Sequence, residues 1–173
     1  MKKPRHTDGE WSLALFVLCA AAFLLALFTG GGSGDEAAAQ REPQTVPASQ
    51  FAIYDGDTLR WSGDRPLRLL QINAPERDRC LGEAATVRLA ELVGAAGELT
   101  VVYDSALKAD RFERTLAYLD KDGEDLGEQL VREGLARTYF IDGERGDRVE
   151  RLLDAEREAR EERRGIWDAC ERR

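Results

Sequence analysis

The stretch RLLQINAPE, residues 68–76, places a guanidinium at Arg68, an amide at Asn73 and a carboxylate at Glu76 in one run that ends in a Pro-Glu turn. Upstream, Asp55 and Asp57 flank Gly56 in YDGDTLRW; downstream, Arg114 sits in DRFERTLAYL. These residue types suit hydrolysis of a phosphodiester. A carboxylate can take the proton of an attacking water, and two guanidinium forks can clamp phosphoryl oxygens as charge builds on them. Singly, each residue has a plainer reading. Asp55, Gly56 and Asp57 make an ordinary hairpin turn, Arg68 could pair with one of many acids, Glu76 could cap a helix, and Arg114 could be a solvated strand residue. Jointly and in register, the catalytic reading is the stronger one.

The elements that must position these groups are strand-rich first and helical afterwards. FAIYDGDTLRW reads as two short strands around an Asp-Gly turn, and SGDRP is a second turn before LRLLQIN, giving a meander of three antiparallel strands. On an unbroken strand Arg68 would share a face with Leu70 and Ile72, and Pro75 would bias Ala74 toward an extended conformation that aims Glu76. GEAATVRLAELVGAAG has helical spacing, with Gly94 and Gly97 available to end it. ELTVVYD and RTLAYLD are further strands. DLGEQLVREGLA is amphipathic through Leu126, Leu130 and Val131, with Gly134 as its stop. DRVERLLDAEREAREERRGIW is a last helix with a narrow stripe of Val149, Leu152, Leu153, Glu156 and Ala159, its other faces bearing opposite charges four apart such as Glu156 and Arg160. This order predicts an α+β domain: a small five-stranded barrel with about three packed helices.

YDGDTLRW, LRLLQINAPE, DRFERTLAYL, LVREGLA and AEREAREERRGIW occur in the order seen in staphylococcal-type thermonucleases, and residues 50–168 resemble that family throughout. The resemblance implies an OB-fold barrel that cleaves DNA and RNA with Ca2+. It makes Asp57 a metal ligand with Asp55 close by, and Asn73 the second side-chain ligand. The backbone carbonyl of Ala74 joins them. Arg68 and Arg114 contact the reacting phosphate, and Glu76 is the general base. Arg111 and Tyr139 are further substrate contacts. The family usually has aspartate where this chain has Asn73, and often tyrosine and glycine where it has Phe112 and Glu113. Asparagine keeps a ligating oxygen but removes a charge worth at most roughly 4 kcal/mol at 4 Å and an effective dielectric near 20, so weaker metal binding is expected. Extracellular calcium sites work at roughly 10⁻⁴ to 10⁻³ M, which tolerates such a loss.

Composition limits the alternatives. The 173 residues carry a formal charge of −8, and the portion after residue 40 remains acidic, which argues against a broad basic face for nucleic acid. The single histidine, His6, precedes the apolar stretch, so a histidine triad, zinc site or histidine nuclease is excluded from the rest of the chain. Any metal site there is oxygen-rich and suits a hard cation. A catalytically weakened OB-fold module that binds nucleic acid or a protein partner is the competing expectation, favoured by Asn73 and by the acidic charge.

WSLALFVLCAAAFLLALF, residues 11–28, is an uncharged apolar run that reaches the lower edge of a membrane span. Lys2, Lys3 and Arg5 precede it, placing residues 1–10 in the cytoplasm and the domain outside. The other reading is a cleaved signal with its processing site at Ala37, Ala38 and Ala39, which would secrete the domain. Residues 29–49 read as a flexible tether and 50–170 as the domain. Outside the cytoplasm, Cys80 and Cys170 are a reasonable disulfide pair. The expected protein is a monomer held at the membrane, with its domain periplasmic or extracellular.

Overall fold

A computed structural model describes residues 41–63, 65–104, 110, 112–140 and 146–170, all within the compact unit Gln40–Arg173. The expected membrane segment, the cytoplasmic tail and Arg111 lie outside the described residues. Among the described residues no helix is long and apolar enough to cross a membrane.

The fold is mixed α+β. Strands β2 (Phe51–Ile53), β3 (Thr58–Trp61) and β4 (Arg65–Leu69) form the antiparallel meander that the turns predicted, with Ile53 opposite Leu59 and Thr58 opposite Arg68. Strand β7 (Thr115–Lys121) then lies parallel to β4, pairing Arg68 with Leu116. On from β7 come β6 (Glu98–Val102) and β1 (Gln44–Pro47), both antiparallel. The order is β1-β6-β7-β4-β3-β2, and β8 (Glu124–Asp125) also pairs with β7. A second, two-stranded sheet joins β5 (Ile72–Asn73) to β9 (Arg137–Thr138).

Two expectations change. The sheet has seven strands rather than five, and among the described residues its end strands are not paired into a closed barrel. The stretch read as a tether to residue 49 already carries β1 and a short 3-10 turn, Ala48–Gln50. Its polar sequence QTVP gives little strand signal, because three of its four residues are exposed and the β6 ladder supplies the order.

The helices are α1 (Gly82–Val93), α2 (Leu126–Arg132), α3 (Val149–Glu161) and a single turn α4 (Ile166–Ala169). Asp125 caps α2, accepting from the amides of Gly127 (2.8 Å) and Glu128 (3.2 Å), which satisfies donors the first turn would leave orphaned. On α3 the buried stripe is Val149, Leu152, Ala155, Glu156 and Ala159, while Leu153 is only half-buried. Glu156 is buried because its carboxylate accepts from Thr138 Oγ1 at 2.6 Å. Leu59, Leu67, Leu89, Leu99, Leu119 and Leu130 fill one core between sheet and helices.

Candidate active site

The Asp-Gly-Asp turn builds the first wall. Asp55 Oδ1 accepts from the amides of Asp57 (3.0 Å) and Thr58 (2.8 Å), so the side chain closes the turn itself. Gly56 is required here, since a Cβ would lie 2.7 Å from the Cβ atoms of both Ala74 and Ala85. That close approach seats Asp57 deep in the fold. Its carbonyl accepts from the Leu69 amide at 2.8 Å, fixing the turn to the end of β4.

Asp57 is buried, and its Oδ2 accepts from the Ala74 amide at 2.7 Å and lies 3.0 Å from Arg68 Nη2. Its Oδ1 accepts from Thr58 Oγ1 at 3.0 Å. Burial nevertheless wins over the adjacent guanidinium and pushes this carboxyl up to about 6. Arg68 is itself buried, donating from Nη1 to the Leu69 carbonyl (2.8 Å) and from Nη2 to Asn73 Oδ1 (3.0 Å). Burial lowers the Arg68 pKa, opposed by Asp57, while neighbouring Arg114 lowers it further. The Asp57 and Asn73 oxygens thus converge on one cationic nitrogen.

The chain does not continue past Arg68 as one strand. β4 ends at Leu69, and Gln71 turns left-handed with φ 59° before β5 begins at Ile72. Arg68, Leu70 and Ile72 therefore do not share one strand face. The turn is what brings Asn73 back onto Arg68.

Arg114 stands immediately before β7, and the parallel register sets it next to β4. Arg68, Arg114 and Tyr139 all line one small cavity of about 40 Å3. Arg114 is held by Asp110, whose Oδ2 accepts from Nε at 2.7 Å and lies 2.6 Å from Nη2. Burial raises the Asp110 pKa, but its bonds from Arg114 and from the Phe112 amide outweigh that and leave it lowered. Sequence reasoning missed this clamp; the only available signal was the four-residue spacing of an acid and a base. Glu113 between them takes φ 59°, the left-handed region in which glycine is at ease.

Glu76 is exposed on the turn after Pro75, and its carboxylate has no hydrogen-bond or ion-pair partner among the described residues. Its carbonyl accepts from the Arg79 amide at 2.8 Å, and the turn closes onto Gly82, whose amide donates to the Arg79 carbonyl at 3.0 Å. A Cβ at Gly82 would lie 1.8 Å from the Glu76 carbonyl oxygen, so only glycine fits. Cys80, inside this turn, is bonded to Cys170 with a Cα separation of 5.9 Å, tying the turn to the end of α4.

Asp57, Arg68 and Asn73 are thus in direct contact, Arg114 and Tyr139 share a cavity with Arg68, and Glu76 projects from the next turn. Among the described residues no group of three or more His, Cys, Asp or Glu gathers as a metal cluster. Asp57 and Asn73 still offer hard oxygens, with a buried carboxylate whose ionisation a cation would favour. The point on which these oxygens converge is held by Arg68 Nη2, so a cation would have to use their remaining lone pairs or displace that guanidinium. The two residues fit a weakly held hard cation completed by waters or backbone oxygens. The Ala74 amide, for its part, holds Asp57 Oδ2 in place.

Comparison with known proteins adds an independent line. The family model described as Staphylococcal nuclease homologue matches residues 66–169. The SPbeta prophage-derived endonuclease YokF of Bacillus subtilis is 32% identical over 133 residues, which cover 72% of this chain and 45% of that protein. Endonuclease YncB of the same organism is 32% identical over 137 residues, covering 74% of this chain and 64% of the relative. A Micrococcal nuclease of Shigella flexneri is 32% identical over 127 residues, 66% of this chain and 70% of its own length. The chain therefore spans about half to two-thirds of the first two curated relatives.

Proposed function

Because this chain belongs to the staphylococcal nuclease homologue family, we propose that it is a membrane-anchored, calcium-dependent nuclease hydrolysing phosphodiester bonds of DNA or RNA. The observation that carries this is the convergence of Asp57, Asn73 and Arg68, with Arg114 lining the same cavity as Arg68 and an unpartnered Glu76 on the adjoining turn.

In this reading the scissile phosphate enters against Arg68 and Arg114. Their remaining N–H groups bind its non-bridging oxygens and grow stronger as negative charge develops there. The Leu69 carbonyl and Asp110 keep the two guanidiniums in place, so little reorganisation accompanies the reaction. Glu76 accepts the proton of the attacking water, and the oxygen so activated displaces the leaving oxygen in line. Asp57 and Asn73 would hold Ca2+, which when bound supplies charge compensation beside the phosphate. Tyr139 lies about half exposed at the cavity mouth, where it suits a substrate contact. Residues 11–28 would hold the domain outside the cytoplasm, and we read the chain as a monomer.

Cleavage of single-stranded DNA by the full chain in calcium, abolished by a chelator and restored by excess calcium, is the expected result. Binding without cleavage under all these conditions would instead favour a catalytically weakened module, the reading to which the amide at Asn73 lends support.

A further inference from the structure

The turn that carries Glu76 closes mostly on itself. Its two backbone hydrogen bonds, from the Arg79 amide to the Glu76 carbonyl (2.8 Å) and from the Gly82 amide to the Arg79 carbonyl (3.0 Å), both lie within it. Glu76, Arg77, Asp78 and Arg79 are exposed. The ion pairs here, Arg77 with Glu83 at 3.9 Å and Arg79 with Asp78 at 3.8 Å, join side chains that are each more than half exposed, where such pairs hold little. Two fixed points flank this exposed stretch. One is the Ala74 amide on Asp57, and the other is the bond from Cys80 to Cys170, beside which Leu81 packs. The second point is well supported. The Ile166 amide donates to the Gly134 carbonyl at 2.8 Å, and the buried Trp167 ring has the guanidiniums of Arg137 and Arg160 each 4.1 Å from its centroid. Arg137 in turn pairs with Asn73 between β5 and β9. The bridge therefore fastens the turn bearing Glu76 to the same post that supports Asn73.

We infer that the Cys80–Cys170 disulfide is a positioning bridge for Glu76 and makes cleavage redox-dependent. The oxidised chain is the competent nuclease, and reduction of the bridge releases the base while leaving the phosphate clamp in place. The inference rests on the nuclease reading and adds its regulation. Arg68 and Arg114 are held by the Leu69 carbonyl and by Asp110, far in sequence from either cysteine, so the clamp does not depend on the bridge. Both cysteines are half-buried, which leaves the bridge within reach of a small dithiol. The exchange balances. A thiolate of the reductant attacks one sulfur of the bridge, and its second thiol resolves the mixed disulfide. The bridge gains two electrons and two protons, and the reductant becomes a disulfide. A chain still in a reducing cytoplasm would hold its base loosely, and export to an oxidising compartment would complete the site.

The test compares the full chain, oxidised and after treatment with dithiothreitol, in steady-state cleavage of single-stranded DNA at saturating calcium, with reduction confirmed by counting thiols. Reduction is expected to lower kcat roughly 10- to 100-fold, as a misplaced catalytic group does. KM is expected to stay within about twofold, because the clamp is untouched. Reoxidation with a small disulfide restores kcat. The double variant Cys80→Ala with Cys170→Ala, which retains Cys19, is expected to match the reduced wild type and to ignore the dithiol. Hydrogen exchange reads the bridge without turnover. On reduction the Arg79 and Gly82 amides are expected to exchange at least about tenfold faster, while the Leu70 amide, bonded to the Ala117 carbonyl, keeps its protection. Equal kcat before and after reduction, a loss that falls on KM instead, or unchanged exchange at the turn amides would each overturn the bridge. So would loss of near-ultraviolet circular dichroism on reduction, since the whole fold would then have opened. Absent cleavage by the oxidised chain overturns the nuclease reading itself and redox-dependent cleavage with it, whereas the exchange rates still report on the turn.

Discussion

In the proposed site, Asp57 and Asn73 would decide how a cation is met. Burial raises Asp57 from 3.8 to about 6, so the folded chain holds that proton more tightly than the unfolded chain does. Its contribution to stability is therefore fully present below about pH 4 and is lost as the pH rises through about 6. In calcium-free buffer, the stability difference between the wild type and Asp57→Asn is expected to move in favour of the wild type as the pH falls from about 7 to about 4. Chemical denaturation at each pH measures it, and a difference that does not move with pH contradicts the assignment. Calcium at neutral pH is expected to raise the wild-type unfolding midpoint by binding only the folded chain, and to do so much less in Asp57→Asn. At this scale the resemblance to the thermonuclease family, carried by the order of the motifs, singled out Asp57, Arg68 and Asn73 together, while the contact between Asn73 and Arg68 depends on the turn at Gln71. The sequence was silent about Asp110. Whether an acid four residues from an arginine becomes its clamp depends on a loop path that no periodicity encodes.

Among the elements, the turn from Glu76 to Gly82 is the piece on which the proposed base depends. It follows Pro75 and contains the disulfide cysteine and a glycine with no room for a methyl group. Gly82→Ala is expected to destabilise the chain by about 1–3 kcal/mol, as overpacking does, and to lower kcat by displacing Glu76. Thermal unfolding and steady-state kinetics on the same preparation check this; unchanged kcat would show that Glu76 is not positioned by the turn. Cys80→Ser is expected to cost about 2–5 kcal/mol, because the bridge closes a loop with a sequence separation of 90. Denaturant titration of oxidised wild type against the variant reads that loss. The antiparallel meander and the helices followed from alternation, turn residues and helical spacing. The parallel β4–β7 pairing and the break at Gln71 did not, because both arise from long-range contacts. Yet it is the β4–β7 register that brings Arg114 alongside Arg68.

For the whole molecule, the family-defining match covers residues 66–169 and the described fold extends it upstream to β1. The expected membrane anchor lies beyond that span, so its test is cellular. Fractionation of cells expressing the full chain is expected to place it in the membrane fraction, resistant to high-salt washing. Protease added from outside the cytoplasmic membrane is expected to remove the domain. A chain recovered wholly in the soluble cytoplasmic fraction would contradict both anchoring and orientation. The measurement that bears most directly on function is cleavage of single-stranded DNA by the full chain across calcium up to about 10 mM, with Glu76→Gln and Asn73→Asp run in parallel. Cleavage is expected to rise over the millimolar range and to fall at least about 100-fold in Glu76→Gln. In Asn73→Asp its calcium midpoint is expected to drop roughly tenfold or more, as the restored charge strengthens the site. Equal rates in wild type and Glu76→Gln, or no cleavage by any of the three chains, would contradict the proposed nuclease.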